Sequence, residues 1–277
     1  MPIILDGRQL ADKIKVKIKE EIFEKNIQVG LAVVLVGDDS ASRIYVNNKN
    51  KACRKIGIDS KSFYLPKETK ESELLELIDK LNNNKKINGI LVQLPLPAHI
   101  NKAKVIEAIL PSKDVDGFHP ENIKKLYAGQ DCLVPCTPAG IMELLREYNI
   151  EIKDKQAVVV GDSDIVGKPI AELLKQAKAK VSICNKQTED ISIFTKQADL
   201  LISATGVKNL IKKEMLKDGV VIIDVGIIHE DKKVFGDVDF EKIKNIAAYI
   251  TPVPGGVGPM TIAMLMSNCL KAYQMQA

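Results

Sequence analysis

The sequence predicts an α/β protein of two domains: an N-terminal domain of βαβ units and a second, Rossmann-like domain. Three observations carry this. Short, apolar, β-branched runs recur along the chain, separated by amphipathic stretches of helical length. The series breaks once, at a turn-rich loop over residues 111–120, and resumes after the helix that Pro138 introduces. The 277 residues leave room for one large domain or two ordinary ones.

Each element has a local reason. Leu10, Ile14, Ile18, Ile22 and Phe23 recur among Lys and Glu, the pattern of a surface helix packed on one face. Residues 31–36, Leu-Ala-Val-Val-Leu-Val, form a strand buried on both faces. A Gly-Asp-Asp-Ser turn follows, and then a helix to about residue 56. Residues 62–65 are a short strand, and 71–83 a helix with Leu74, Leu75, Ile78 and Leu81 inward. Residues 89–94 are a buried strand that ends in the rigid Pro95-Leu96-Pro97. Residues 102–110 are a short helix, and 138–148 another. The second series has strands at 156–160, 180–184, 199–203, 220–224 and 248–250, joined by short crossovers. A Gly/Pro-dense loop at 251–261 precedes an apolar helix over 262–270. The sequence shows no internal repeat or low-complexity segment.

Composition excludes several function classes. Hydrophobic residues at 45% and charged residues at 27% describe a globular protein. The net charge of +4 comes from Lys spread among Glu and Asp, so neither a nucleic-acid stripe nor a membrane-binding patch is expected. No apolar run reaches the length of a membrane span, and the opening Met-Pro-Ile-Ile-Leu-Asp does not read as a signal peptide. The five Cys form neither a disulfide framework nor a zinc set, which points to no metal and to a reduced, cytoplasmic compartment. His99, His119 and His229 stand apart from any nucleophile and read as structural. Hydrolase elbows and zinc-protease motifs are absent.

Two stretches carry chemistry. In 42–49, Ser-Arg-Ile-Tyr-Val-Asn-Asn-Lys, Tyr45 and Lys49 are four apart and share a helix face. A phenol beside an amine can tune proton affinity. Alone, the pair also fits a half-buried aromatic and a solvated lysine. The second stretch is the turn from Gly161 to Gly167, set between a strand and a helix. Glycine lets a pyrophosphate approach the backbone, and the helix N-terminus supplies amides. Ser163 stands where the usual middle glycine would be, so the dinucleotide fingerprint is partial. The end of the next strand reads Cys184-Asn185-Lys186-Gln187. It has no acid for a ribose hydroxyl, and Lys186 could face a 2′-phosphate, which favours NADP over NAD. Asp162 lies close to the same ribose in this reading and would repel that phosphate.

Five motifs then occur in order: Ser42-x-x-Tyr45-x-x-x-Lys49; Val92-Gln93-Leu94-Pro95-Leu96-Pro97; Lys113-Asp114-Val115-Asp116-Gly117-Phe118; Gly161-x-Ser163-x-Ile165-Val166-Gly167-x-Pro169; and Pro254-Gly255-Gly256-Val257-Gly258-Pro259-Met260-Thr261. Together they resemble the bifunctional methylenetetrahydrofolate dehydrogenase/methenyltetrahydrofolate cyclohydrolase (FolD) family over nearly the whole chain. The resemblance implies a folate-binding catalytic domain of residues 1–137 and 258–277, with the C-terminal helix returning to it. It implies a Rossmann-like NAD(P)-binding domain of residues 138–257. It also implies oxidation of 5,10-methylenetetrahydrofolate with NADP, hydrolysis of the methenyl product to 10-formyltetrahydrofolate, and a homodimer formed through the cofactor domain.

The same resemblance distributes roles. Lys49 becomes the proton-transfer lysine, Tyr45 packs against the folate, Gln93 hydrogen-bonds Lys49, and Asp116 anchors the pterin. Leu94, Gly255, Pro259 and Thr261 border the substrate. Thr137, Gly161, Asp162, Ser163, Ile165, Gly167, Lys186, Thr205, Gly226 and Ile227 carry the cofactor. The residue types suit the reactions. Hydride transfer needs positioning, ring opening needs a proton carrier, and a carboxylate can take two hydrogen bonds from an aminopyrimidinone edge. The clear departure from the family pattern is Asp162, where Arg or a small neutral residue is usual. Two other readings are a two-domain dehydrogenase like shikimate dehydrogenase, which lacks the Gln93 and Gly255 motifs, and an idle sensor, which would not keep Lys49 and Asp116.

Overall fold

The structure is a computed structural model that describes residues 2–231 and 233–277, with the side chains of Ser40, Ala41 and Tyr45 outside the description. The chain divides into two compact units: Lys13–Cys136 with Ile262–Ala277, and Met1–Asp12 with Thr137–Thr261.

In chain order the first elements are β1 (Ile3–Ile4), α1 (Gly7–Glu24), β2 (Gly30–Val36), α2 (Ser40–Lys55), β3 (Asp59–Leu65), α3 (Glu71–Asn82), β4 (Gly89–Val92), α4 (Lys102–Ala108) and α5 (Pro120–Tyr127). Strands β3, β2 and β4 form a parallel sheet in that order. The strand at 31–36 is buried throughout, as its apolar run requires. Its alternation supplies two cores. Leu31, Val33 and Leu35 pack with Ile18 and Ile22 of α1, Val46 and Cys53 of α2, and Leu265 and Met266 near the C-terminus. Ala32, Val34 and Val36 pack with Leu74, Ile78 and Leu81 of α3 and Val105 after β4. The unit is therefore a helix–sheet–helix sandwich. Phe23, grouped in the sequence with the inward residues of α1, is 85% exposed. It lies about 100° round the helix from Ile22, which takes the core position instead.

The second unit contains α6 (Cys136–Glu147), β5 (Gln156–Val160), α7 (Gly167–Gln176), β6 (Lys180–Cys184), α8 (Ser192–Thr195), β7 (Leu200–Ser203), β8 (Val221–Asp224), β9 (Ile228–Glu230), β10 (Lys233–Phe235), α9 (Phe240–Ile243) and β11 (Tyr249–Ile250), and α10 (Val257–Gln276) starts in it but lies mostly in the first. Helices α6 and α10 begin within a few residues of the division between units. Six strands form a parallel sheet in the order β1-β11-β8-β7-β5-β6. The order reverses beside β5, since β6 lies on one side and β7 and β8 on the other. In such sheets ligands bind at the carboxyl ends of the strands flanking the reversal. The five strands expected from the sequence all enter this sheet. Strand β1 is an addition, and Ile3 and Ile4 pair with Tyr249 and Ile250. Hairpin β9–β10 and helix α5 were likewise not read from the sequence.

Candidate active site

In the first unit the site begins with α2. The Asp39 carboxyl accepts from Ser42 N at 2.7 Å and caps the helix start. Ser42, Val46, Cys53 and Ile56 are buried at spacings of four, seven and three. Lys49 occupies the missing position of this stripe, an amine where the helix otherwise buries apolar atoms. Its position makes it half-buried, and Nζ donates to Gln93 Oε1 at 3.0 Å. Tyr45 lies on the same helix, but its side chain is outside the described residues.

Gln93 is set by the sheet. Its backbone N–H donates to Val34 O at 2.8 Å, extending the β4–β2 ladder by one residue. Its Nε2 donates to Leu94 O at 2.7 Å, so the amide oxygen faces Lys49. Leu94 is part-buried, and the Leu94–Pro95 bond is cis.

Asp116 sits in a loop held from both sides. The buried Lys113 Nζ donates to Asn82 O at 2.7 Å and Asn84 O at 3.0 Å, the carbonyls at the end of α3. Asp114 Oδ2 accepts from His119 N at 2.7 Å and Asn122 Nδ2 at 3.0 Å. Asn268 Nδ2 donates to Val115 O at 2.9 Å and Val134 O at 2.8 Å. Gly117 has φ +75°, and a Cβ there would lie 2.5 Å from Pro135 N, so the turn beside Asp116 admits only glycine. Val92, Leu94, Ile106 and Phe118 form an apolar recess around Asp114 and Asp116. Burial pushes the Asp116 carboxyl up to about 6; the Lys49 ammonium opposes this shift and Asp114 adds to it. Lys49, Gln93, Asp114 and Asp116 thus form one electrostatic group. Cys136 belongs to it too, its thiol raised by burial and then by Asp116. Neither Cys136 nor Asn268 was singled out from the sequence, and no motif marks them.

In the second unit, the carboxyl ends of β5, β7 and β8 present Gly161, Thr205 and Gly226. Gly161 has φ +110°, and a Cβ there would meet Ala204 O at 2.4 Å. A Cβ on Gly167 would meet Gly161 O at 2.0 Å, so both glycines are required for the tight turn into α7. Gly167 N donates to Ser163 Oγ at 3.3 Å. Ser163 is exposed, Ile165 part-buried and Ile227 45% exposed. Asp162 is exposed, and its Oδ2 accepts from Asn185 Nδ2 at 3.0 Å, at the end of β6 and next to the exposed Lys186. Thr137 Oγ1 and Thr261 Oγ1 lie 2.8 Å apart. Gly255 and Pro259 cluster in this unit as well. A Cβ on Gly7 would stand 1.9 Å from Gly256 O, and Arg8 N donates to Gly255 O at 2.9 Å, so the N-terminal turn braces the Gly255 loop. The close glycine turn and the converging strand ends suit a dinucleotide, as the fit of such a group demands.

Two family models cover most of the chain. One, described as tetrahydrofolate dehydrogenase/cyclohydrolase, catalytic domain, matches residues 5–116; the other, the NAD(P)-binding domain of the same family, matches 135–277. The chain belongs to the tetrahydrofolate dehydrogenase/cyclohydrolase family. A family relative from Aquifex aeolicus, described as bifunctional protein FolD, is 53% identical over 99% of this chain and 96% of its own. The crystal structure of the family's bifunctional enzyme from Campylobacter jejuni superposes with a TM-score of 0.98 at 48% identity, over the whole of both chains. The Trypanosoma brucei family structure, complexed with NADP cofactor and an inhibitor, has a TM-score of 0.95 at 36% identity, covering 99% of this chain and 98% of that one. No helix among the described residues is long and apolar enough to cross a membrane.

Proposed function

We propose that the chain oxidises 5,10-methylenetetrahydrofolate to the methenyl form with NADP and hydrolyses that product to 10-formyltetrahydrofolate, in one-carbon metabolism. The observation that carries the catalytic part is the Lys49–Gln93 hydrogen bond on an otherwise apolar helix stripe, with Asp116 sensing the same ammonium. Bound oxidised nicotinamide supplies a hydride acceptor for the methylene carbon. The residues assigned to hold it are Thr137, Gly161, Asp162, Ser163, Ile165, Gly167, Lys186, Thr205, Gly226 and Ile227. NADP is preferred through Lys186, with NAD the lesser cofactor.

The chain's own chemistry falls on the second step. Water adds to the methenyl carbon, and Lys49, after giving its own proton to solvent, takes one of the water's protons as the C–O bond forms. The C–N5 bond then breaks as the carbonyl forms. N5 receives the proton from the Lys49 ammonium, and the remaining hydroxyl proton passes to solvent. Gln93 holds the amine by its amide oxygen, and Asp116 accepts from the pterin's amino and ring N–H groups. Tyr45 packs against the folate, and Leu94, Gly255, Pro259 and Thr261 border it.

We also place the protein in the cytoplasm as a homodimer formed through the cofactor unit. Strand β6 ends the large sheet, and Ile183, Ile193 and Phe194 on or after it are exposed, which supports association there. Mixing enzyme, methylenetetrahydrofolate and NADP tests the catalytic reading. Reduced cofactor and 10-formyltetrahydrofolate are expected. Neither product would leave a folate or nucleotide sensor as the better account.

A further inference from the structure

Two buried carboxyl groups, Asp224 and Asp237, are not used in the chemistry above. Both are almost wholly inaccessible, at 3% and 0% exposure. Carboxyl groups are costly to bury and persist where their hydrogen bonds hold something in place.

Asp237 Oδ2 takes three hydrogen bonds at once: from Ser203 Oγ at 2.9 Å, Thr205 N at 2.7 Å and Thr205 Oγ1 at 2.9 Å. Thr205 Oγ1 in turn accepts from Val207 N at 3.2 Å. The loop after β7 is thereby tied to a single buried oxygen. Asp224 holds the neighbouring strand end. Its Oδ1 accepts from Gly226 N and Asp237 N, both at 2.9 Å, and its Oδ2 from Val238 N at 3.0 Å. Ser203 and Asp224 are register partners across β7 and β8, so the two carboxyls join adjacent strand ends. The remaining Asp237 oxygen, Oδ1, has no hydrogen-bond partner and faces Gly226, where a Cβ would lie 2.2 Å away. A Cβ on Gly236 would lie 1.8 Å from Asp224 Oδ2. The segment Gly236–Val238 is therefore threaded beneath both loops, with glycine at each point of closest approach.

We infer that Asp237 is a positioning residue for the nicotinamide cofactor: through Thr205 it fixes the loop after β7, and through Gly226 it sets the height of the loop after β8. The inference rests on the assignment of Thr205 and Gly226 to the cofactor site. Asp237 touches no reacting atom. Its effect is confined to cofactor affinity and hydride transfer, because Lys49 and its partners Gln93 and Asp116 lie in the other unit.

The test uses the full-length enzyme. Calorimetric titration with NADP and with NAD is compared for wild type, Asp237→Asn and Ser203→Ala, alongside cyclohydrolase kcat/KM on preformed methenyltetrahydrofolate. Asp237→Asn is expected to weaken cofactor binding roughly tenfold to hundredfold, the size of one or two lost bonds to a carboxylate. Its cyclohydrolase rate should stay at the wild-type value. Ser203→Ala removes a bond to the same oxygen but leaves Thr205 tied, so it should lower thermal stability without changing cofactor affinity. A purely structural role would make the two variants behave alike. Wild-type hydrogen exchange needs no variant to fold: the Thr205 amide should exchange slowly in the absence of cofactor. Rapid exchange at Thr205, or unchanged NADP affinity in Asp237→Asn, overturns the inference. A wild type that binds neither NADP nor NAD would instead remove the cofactor assignment itself, and this inference with it.

Discussion

At the scale of single residues, Asp116 makes a pH-dependent claim. Its carboxyl titrates near 6 in the fold against 3.8 for the ordinary group, so the fold favours the neutral form. The pterin-anchoring role proposed for Asp116 needs the ionised form. The kcat/KM for methylenetetrahydrofolate should therefore fall below about pH 6, and Asp116→Asn should lose that inflection along with most of its activity. Stability runs the other way. The cost of ionising Asp116 in the fold is absent below the unfolded value of 3.8, grows between 3.8 and about 6, and is complete above. Asp116→Asn should then melt higher than wild type at pH 7.5 and match it at pH 4, by differential scanning calorimetry. Asp162 makes a second claim at this scale. Its carboxylate is held by Asn185, the chain neighbour of Lys186, for which a 2′-phosphate contact is proposed. Asp162→Ser should raise the ratio of NADP to NAD catalytic efficiency roughly five- to tenfold. That is the size of one like-charge pair about 4 Å apart in wet surroundings, on the order of 1 kcal/mol. An unchanged ratio would place Asp162 away from the ribose.

At the scale of elements, the loop carrying Asp116 depends on a helix far along the chain. Asn268 of α10 supplies one amide group to Val115 O and Val134 O. Asn268→Leu strands Val134 O and leaves Val115 O only the weak Cys136 thiol donor at 3.3 Å, and should cost about 1–3 kcal/mol in urea unfolding. It should also raise KM for the folate, since Asp116 is one residue from Val115. Elements differ in how openly the sequence announces them. The run at 31–36 is apolar on every residue, so its burial on both faces is legible. The Tyr45 and Lys49 spacing is equally plain, and Lys49 at the gap in the stripe of Ser42, Val46 and Cys53 can be read from the helix period alone. Strand β1 has no such signal: two exposed isoleucines become a strand only by pairing with Tyr249 and Ile250. Phe23 misled because periodicity fixes a face but not its edge. Asp237 and Asn268 act on carbonyls, hydroxyls and amides distant in sequence, and no local pattern encodes those partners.

At the scale of the whole molecule, the chain folds as two units with separate cores, and a ligand should report on the unit that binds it. NADP at about 100 times its Kd stabilises what it binds by about 2.7 kcal/mol. Hydrogen-exchange protection should rise at the ends of β5, β7 and β8 and leave β2 through β4 unchanged. Protection spread evenly over both sheets would contradict the assignment of the cofactor to the six-stranded unit. The two activities separate in the same way, because hydride transfer needs both ligands and ring opening needs only the folate site.

The most direct test of the whole account is the rate at which Lys49→Ala hydrolyses preformed methenyltetrahydrofolate, with NADP affinity measured on the same sample to establish that the variant is folded. A fall of roughly 10²–10⁴-fold is expected, the contribution of one positioned proton carrier, with NADP affinity unchanged. Hydrolysis at the wild-type rate would contradict the role of Lys49.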